Sequence, residues 1–224
     1  MSAAWRSLAP VADLPVAVVH ADESCLGNGR EGSNPGGAGA LIEVRSGGQI
    51  ARRDLYISAP ATTNNRMALA GAIAVFALLS RKGKRLRVVY VSDSEYLVKG
   101  MREWVPAWER RGWRRKGGEI LNPELWQTLV RVSASHQAIW MWVRGHAGDP
   151  KNEYANDLAM RAAKRQETSP GVVPSEFEDW LASKRAAGQY LDYDPDVAFG
   201  GLAERLRRGE RFPLDLDAIN PLGG

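Results

Sequence analysis

One cysteine in 224 residues, Cys25, rules out an internal disulfide framework and a cysteine-built zinc site. Also missing is a basic N-terminal region followed by an apolar run. No stretch approaches the roughly 18 uninterrupted apolar residues of a membrane span. A reducing cytoplasm is therefore the expected compartment, with no membrane partner. There is no internal repeat and no low-complexity tract. Net charge is small as well: 30 Lys and Arg against 26 Asp and Glu leave +4, which by itself only mildly favours an anionic partner. What is present, 44% hydrophobic and 25% charged residues, suits one globular domain or one domain with an appendage.

The distribution of charge says more than its total. Residues 81 to 116 hold twelve basic side chains against four acids, whereas residues 167 to 224 hold eleven acids against six bases. Six of the eight tryptophans fall between 104 and 142, and Trp104, Trp108 and Trp113 are interleaved with Arg110, Arg111, Arg114 and Arg115. Cations neutralise phosphate and indole faces pack on sugars or bases, so this pattern suits a nucleic acid. A solvated face over core tryptophans is the plainer alternative.

Val16 to His20 is a β-branched run that leads into a Gly/Asn/Ser loop. Ala38 to Val44 and Gln49 to Ile57 flank Arg45-Ser46-Gly47-Gly48 as a hairpin. Thr63 or Asn64 caps a helix reaching about Ser80, and Leu86 to Val91 is a strand ending at Ser92-Asp93-Ser94. Ser94 to Met101, Trp104 to Arg111 and Pro123 to Ser135 read as helices, Ala138 to Val143 as a strand and Asn152 to Lys164 as a closing helix. The order βββαβαααβα implies an α/β fold, a mixed sheet with helices on its faces. From Glu167 the chain is acidic and broken by prolines, with short segments at Phe177 to Ala187 and Val197 to Arg208. The expected organisation is an N-terminal extension (1–13), a domain (14–166) and an acidic C-terminal extension (167–224), the last a candidate site for recruiting a protein partner.

Asp22 follows the first strand and Asp93 the fourth. If these strands are neighbours, two carboxylates converge at one end of the sheet and can hold a hard divalent cation. Strand-end aspartates are also common turn and cap residues. His146, in a Gly-His-Ala-Gly loop, could shuttle protons.

Five blocks make the reading specific: Asp22-Glu23-Ser24-Cys25-Leu26-Gly27-Asn28, Thr62-Thr63-Asn64-Asn65-Arg66-Met67, Ser92-Asp93-Ser94, Trp104 to Trp113, and Trp142 to Gly148 followed by Asn152-Glu153. In order and separation they resemble type I ribonuclease H across roughly residues 14 to 166. The resemblance implies a ribonuclease H-like mixed five-stranded sheet, three antiparallel strands then two more, with helices on both faces and a short C-terminal appendage. It further implies hydrolysis of the RNA strand of an RNA/DNA hybrid by four carboxylates holding two Mg²⁺ (or Mn²⁺) ions, leaving 5′-phosphate products.

Position by position the match departs in its chemistry. Asp22 and Asp93 stand where the family has its first and third carboxylates, and His146 where it has a proton-transferring histidine. The family's Glu is here Ala68. Its last Asp is Asn156, a weakened ligand, and a one-residue helical step of about 100° turns the neighbouring Asp157 away. Loss of two charges is expected to weaken at least one ion and impair cleavage. The same two changes would trap substrate on an active enzyme, but Glu23, where the family has Gly, argues for natural divergence. Strand alternation sends Glu23 away from Asp22. It therefore reads as an exposed acid, with a substitute ligand as the alternative if the strand end bends.

The binding apparatus is better kept. The resemblance places Cys25, Asn28, Thr63, Asn64 and Asn65 against the hybrid, and Trp104, Trp108, Arg110, Arg111, Trp113, Arg114 and Arg115 in a basic protrusion, with some indoles serving the core. Cys25 is expected to be a small packed residue. A binding module that has lost hydrolysis is the second expectation.

Overall fold

The computed structural model describes residues 14–27, 34–46, 48–81, 83–145 and 147–210. The expected N-terminal extension, Asn28 and His146 lie outside these residues.

Six strands form one sheet in the order β5-β4-β1-β2-β3-β6. β1 (Val16–Cys25), β2 (Gly36–Ser46) and β3 (Gln49–Ala59) form an antiparallel meander. The β2–β3 connection is closed by Gly48 at φ +86°, a conformation open to glycine without strain. β4 (Arg87–Ser92) runs parallel to β1, and β5 (Gln137–Trp142) parallel to β4. β1 is longer than its apolar run foretells. Glu23, Ser24 and Cys25 still pair with Ala38, Gly37 and Gly36, so Asp22 lies inside the strand.

Alternation along β1 divides the interior. Ala17, Val19 and Ala21 face α1 (Asn64–Ser80) and α4 (Pro123–Ser133) in the main core with Phe76, Tyr90, Trp126 and Leu129. Val16 and Val18 face the opposite side. α5 (Pro150–Arg165) covers β1 and β2 on that side.

The two helices expected at 94–101 and 104–111 are a single helical run: α2 (Glu95–Lys99), a π-helical turn (Gly100–Trp104) and α3 (Val105–Glu109). Pro106, in the first turn of α3, has no N–H to donate back, and the ladder widens just ahead of it. Gly100 is required there, because a Cβ would lie 2.1 Å from Cη2 of Trp126.

Residues 168–210 of the expected C-terminal extension fold onto the sheet. β6 (Val173–Pro174) adds a sixth strand beside Asp54 and Arg53 of β3. The Ser169 and Thr168 hydroxyls take up the Tyr56 and Ser58 amides at 3.2 and 3.0 Å, so the exposed edge of β3 is covered. α6 (Phe177–Ala186) buries Phe177 and Leu181 against Leu41, Tyr154 and Leu158. α7 (Pro195–Arg207) buries Phe199, Leu202 and Leu206 on Val16, Val18, Val89, Val91 and Met141. The short segments anticipated at 177–187 and 197–208 are these two helices. No helix among the described residues is long and apolar enough to cross a membrane.

Candidate active site

β1 and β4 are parallel neighbours, with Ala21 opposite Ser92, so Asp22 and Asp93 emerge at the same end of the sheet. Glu23 joins them. Ligand atoms of Asp22, Glu23 and Asp93 all lie within 4.8 Å of one another. The expected exposed acid is thus corrected: odd-numbered residues of β1 face α1, so alternation carries Glu23 toward the helix on which the family's missing Glu would stand. Glu23, Ala68, Tyr90 and Leu97 line one small cavity of about 10 Å³, room for roughly one water. Ala68, only 4% exposed, leaves the space that a longer side chain would fill. The carboxylate removed from the helix has a counterpart on the strand.

The electrostatics are those of a crowded, partly desolvated acid cluster. Burial, then the nearby charges of Asp93 and Glu153, push Asp22 up to about 8 against the pull of the Glu23 N–H, which donates to Asp22 Oδ1 at 2.6 Å. Burial, then Asp22 and Asp93, raise Glu23 well above the ordinary carboxylate range, and a hydrogen bond from Ser94 opposes the rise. Three packed carboxylates cannot all ionise cheaply in a desolvated pocket without a counter-ion. An all-oxygen donor set of this kind fits a hard divalent ion.

Asn156 is half-buried on α5, one turn beyond Glu153, with its amide 3.7 Å from Met160 Sδ. Asp157 faces elsewhere, accepting from Trp180 Nε1 at 2.7 Å, as the helical step anticipates. Sequence reasoning passed over Ser94, Tyr90 and Gly145. A Cβ on Gly145 would lie 2.4 Å from Asp93 Oδ2, so the loop packs closely on that carboxylate. The Gly-His-Ala-Gly pattern held this signal, although it drew attention to the histidine.

The residues expected to bind nucleic acid separate into surface and core. Thr63 caps α1, accepting from Arg66 N, and is exposed together with Asn65. Asn64 Oδ1 is buried with no partner among the described residues. Arg110, Arg111, Arg114 and Arg115 are exposed, and Trp104 and Trp113 are half-buried. Trp108, 8% exposed, packs edge-to-face on Trp126 and lines a cleft of about 330 Å³ with Tyr96, Trp104, Arg115 and Leu121. Cys25 is the packed thiol expected, 3.4 Å from the carbonyl oxygen of Thr62, and burial raises its pKa.

The RNase H family model matches residues 15–164. A ribonuclease H of Pelobacter propionicus is 40% identical over 166 residues, covering 74% of this chain and 95% of its own. One of Pseudomonas paraeruginosa is 44% identical over 146 residues, covering 64% and 90%. The crystal structure of LC9-RNase H1, described as a type 1 RNase H with the type 2 active-site motif, aligns at TM-score 0.73 and 52% identity over 79% of this chain and 86% of that one. The prototype foamy virus RNase H domain, 15% identical at TM-score 0.56, shares the fold over 70% of this chain and 99% of its own. A mixed sheet that brings acids of β1 and of the loop after β4 together, with a family-model match over residues 15–164 and ribonuclease H relatives 40–44% identical, establishes that the chain belongs to the RNase H family.

Proposed function

We propose that the protein hydrolyses the RNA strand of RNA/DNA hybrids in the cytoplasm, with Asp22, Glu23 and Asp93 holding divalent ions, Mg²⁺ or Mn²⁺, and Asn156 as a neutral fourth ligand. The observation that carries this reading is the place of Glu23, whose carboxylate meets Asp22 and Asp93 beside Ala68. Relative to the family's four carboxylates the site is then short of one charge, at Asn156, and the two-charge deficit that would impair it does not arise. Bound there, such ions supply a water-derived nucleophile at neutral pH and stabilise the leaving oxygen. The chain's own groups do the rest. Glu23 brings its charge from the strand, Ser94 orients it, and the close approach of Gly145 holds Asp93. Thr63, Asn64 and Asn65 at the start of α1 receive the hybrid by shape and 2′-hydroxyls, with little sequence preference. Arg110, Arg111, Arg114 and Arg115 neutralise phosphates, with Trp104 and Trp113 beside them. His146 serves proton transfer. The acidic tail, expected to recruit a partner, has Glu176, Glu178 and Asp196 already paired with Arg161 and Arg52 of the same chain.

The test is cleavage of an end-labelled hybrid with Mg²⁺ and then Mn²⁺. The unaltered chain cuts and Asp22→Asn does not. Glu23→Gln loses at least roughly 100-fold, the upper end of what a mere outer-shell partner costs. Glu23→Gly/Ala68→Glu, which returns the carboxylate to the helix, regains part of the rate. Hybrid binding without cutting in the unaltered chain would identify a binding module instead. Full activity in Glu23→Gln would remove Glu23 from the site.

A further inference from the structure

α5, which carries Asn156, approaches β2 at two glycines. A Cβ on Gly37 would fall 2.3 Å from the carbonyl oxygen of Ala159, and one on Gly39 2.5 Å from that of Ala155. Helix backbone therefore lies directly on strand backbone, with Ala155, Ala159, Ala162 and Ala163 buried. Such contact fixes how far the helix stands from the sheet. The large apolar side chains that α5 buries, Tyr154 and Leu158, cluster with Leu41 and also with Phe177 and Leu181 of the tail, so rotation of the helix about its own axis is set partly by the tail.

The tail adds a set of polar contacts to this packing. Lys151, Tyr154, Asp157 and Arg161 recur at three- and four-residue spacing and so share one face of α5. Lys151 Nζ donates to Glu43 Oε2 at 2.7 Å and to the Pro195 carbonyl at 3.0 Å. The Tyr154 hydroxyl donates to Asp54 Oδ2 at 2.5 Å and accepts from Glu176 N at 3.1 Å, while Ser175 Oγ donates to Asp54 Oδ1 at 2.6 Å. Asp157 accepts from Trp180, and Arg161 pairs with Glu176 at 2.8 Å. Arg52 closes the ring, joining Glu43 at 3.0 Å to Glu178 at 2.6 Å and to Asp196. At about 100° per residue, Asn156 shares the other flank of α5 with Glu153 and Met160.

We propose that residues 173–196 are a clamp that sets the rotation of α5 and thereby holds the Asn156 amide toward Asp22, Glu23 and Asp93, with Lys151, Trp180 and Glu176 as positioning residues. The inference deepens the proposed hydrolase and rests on its metal-site reading. Magnitudes favour it. A side-chain head about 5–6 Å from the helix axis swings roughly 2 Å for a rotation of about 20°, whereas metal–ligand distances tolerate only about 0.2 Å. An aspartate would be drawn into place by its own charge. A neutral amide gains less from the ion, so its position has to come from the scaffold.

The test is Mn²⁺ titration calorimetry on the full chain, with hybrid cleavage followed in parallel. Trp180→Phe/Glu176→Ala removes two rim bonds and leaves Phe177, Leu181 and the α7 contacts in place. Its Kd for Mn²⁺ rises roughly tenfold, as for loss of an outer-shell partner. In an Asn156→Ala background the same two changes shift Kd by less than about twofold, because the clamp then has nothing to position. Equal shifts in both backgrounds, or no shift in either, would overturn the proposal. Asp157→Asn keeps an acceptor for Trp180 and binds Mn²⁺ like the unaltered chain, whereas Asp157→Ala binds more weakly. A loss as large in Asp157→Asn would make Asp157 itself a ligand and defeat the clamp. Since calorimetry reads binding alone, an unaltered chain that binds Mn²⁺ without cutting hybrid refutes the hydrolase and leaves the clamp result standing; one that binds no Mn²⁺ refutes both.

Discussion

An alanine methyl at position 68 and a carboxylate at position 23 share one small cavity, and each explains the other. If Glu23 occupies the space, Ala68→Glu alone adds a second acid to a filled, desolvated pocket. The expected cost is about 1–3 kcal/mol from overpacking, increased by like-charge repulsion, and is read as a lowered urea midpoint with cleavage reduced rather than raised. An unchanged midpoint would mean that Glu23 stands elsewhere. Away from the site, His136 is 5% exposed, accepts from Leu86 N at Nδ1 (3.2 Å) and lies 3.1 Å from Ser80 Oγ through Nε2. Burial, then the charge of Arg85, lowers its pKa below 6.5. The folded chain therefore resists a proton that the unfolded chain accepts. Its contribution to stability is whole above pH 6.5 and is lost as pH falls below 6.5 toward the folded pKa. His136→Gln should flatten that limb of the melting-temperature profile between pH 7 and pH 5. An unaltered slope would assign the acid sensitivity to other groups.

Among the elements, the widened turn in the α2–α3 run depends on one residue. Gly100 meets the ring of Trp126, which is fully buried and donates to Tyr96 OH at 3.0 Å. Gly100→Ala must displace that ring, at about 1–3 kcal/mol. The readout is denaturant unfolding together with the near-ultraviolet dichroism of the tryptophans. Helix propensity alone would make the substitution stabilising by roughly 0.8–1.0 kcal/mol, so the sign of the change decides between packing and propensity. The same run shows why sequence divides it wrongly. The break expected between Met101 and Trp104 falls in the π turn, through which the chain remains helical.

For the whole molecule, the tail forms part of the core. Residues 195–207 cover a second face of the sheet, and 168–174 close the edge of β3. Ending the chain after Gln166 uncovers Val16, Val18, Val89, Val91, Met141 and Val143. Each large apolar side chain returned to water forfeits about 1.5–3 kcal/mol. The expected product is aggregated, or binds a hydrophobic dye, instead of being a smaller folded nuclease. A soluble truncation melting at the full-length temperature would show that the tail contributes nothing to stability.

The order of elements was legible because each announces itself locally: a β-branched run, a glycine turn, a Thr63 cap, alanines at helical spacing. Asp22 and Asp93 were legible for the same reason, each following an apolar run. The family resemblance identified Ala68 and Asn156 as departures. Sequence by itself thus determined the order of the first five strands and their helices, and two of the acids. Tertiary structure decided the rest. Glu23 joins Asp22 and Asp93 only because the odd-numbered face of β1 meets α1 at the point where Ala68 is short. Trp108 faces Trp126 through the fold of the helical run, which no spacing rule reveals. The tail's prolines and acids read as an appendage because their partners, Arg52, Asp54, Lys151 and Arg161, lie far away in the chain, and only a folded sheet edge brings those charges together.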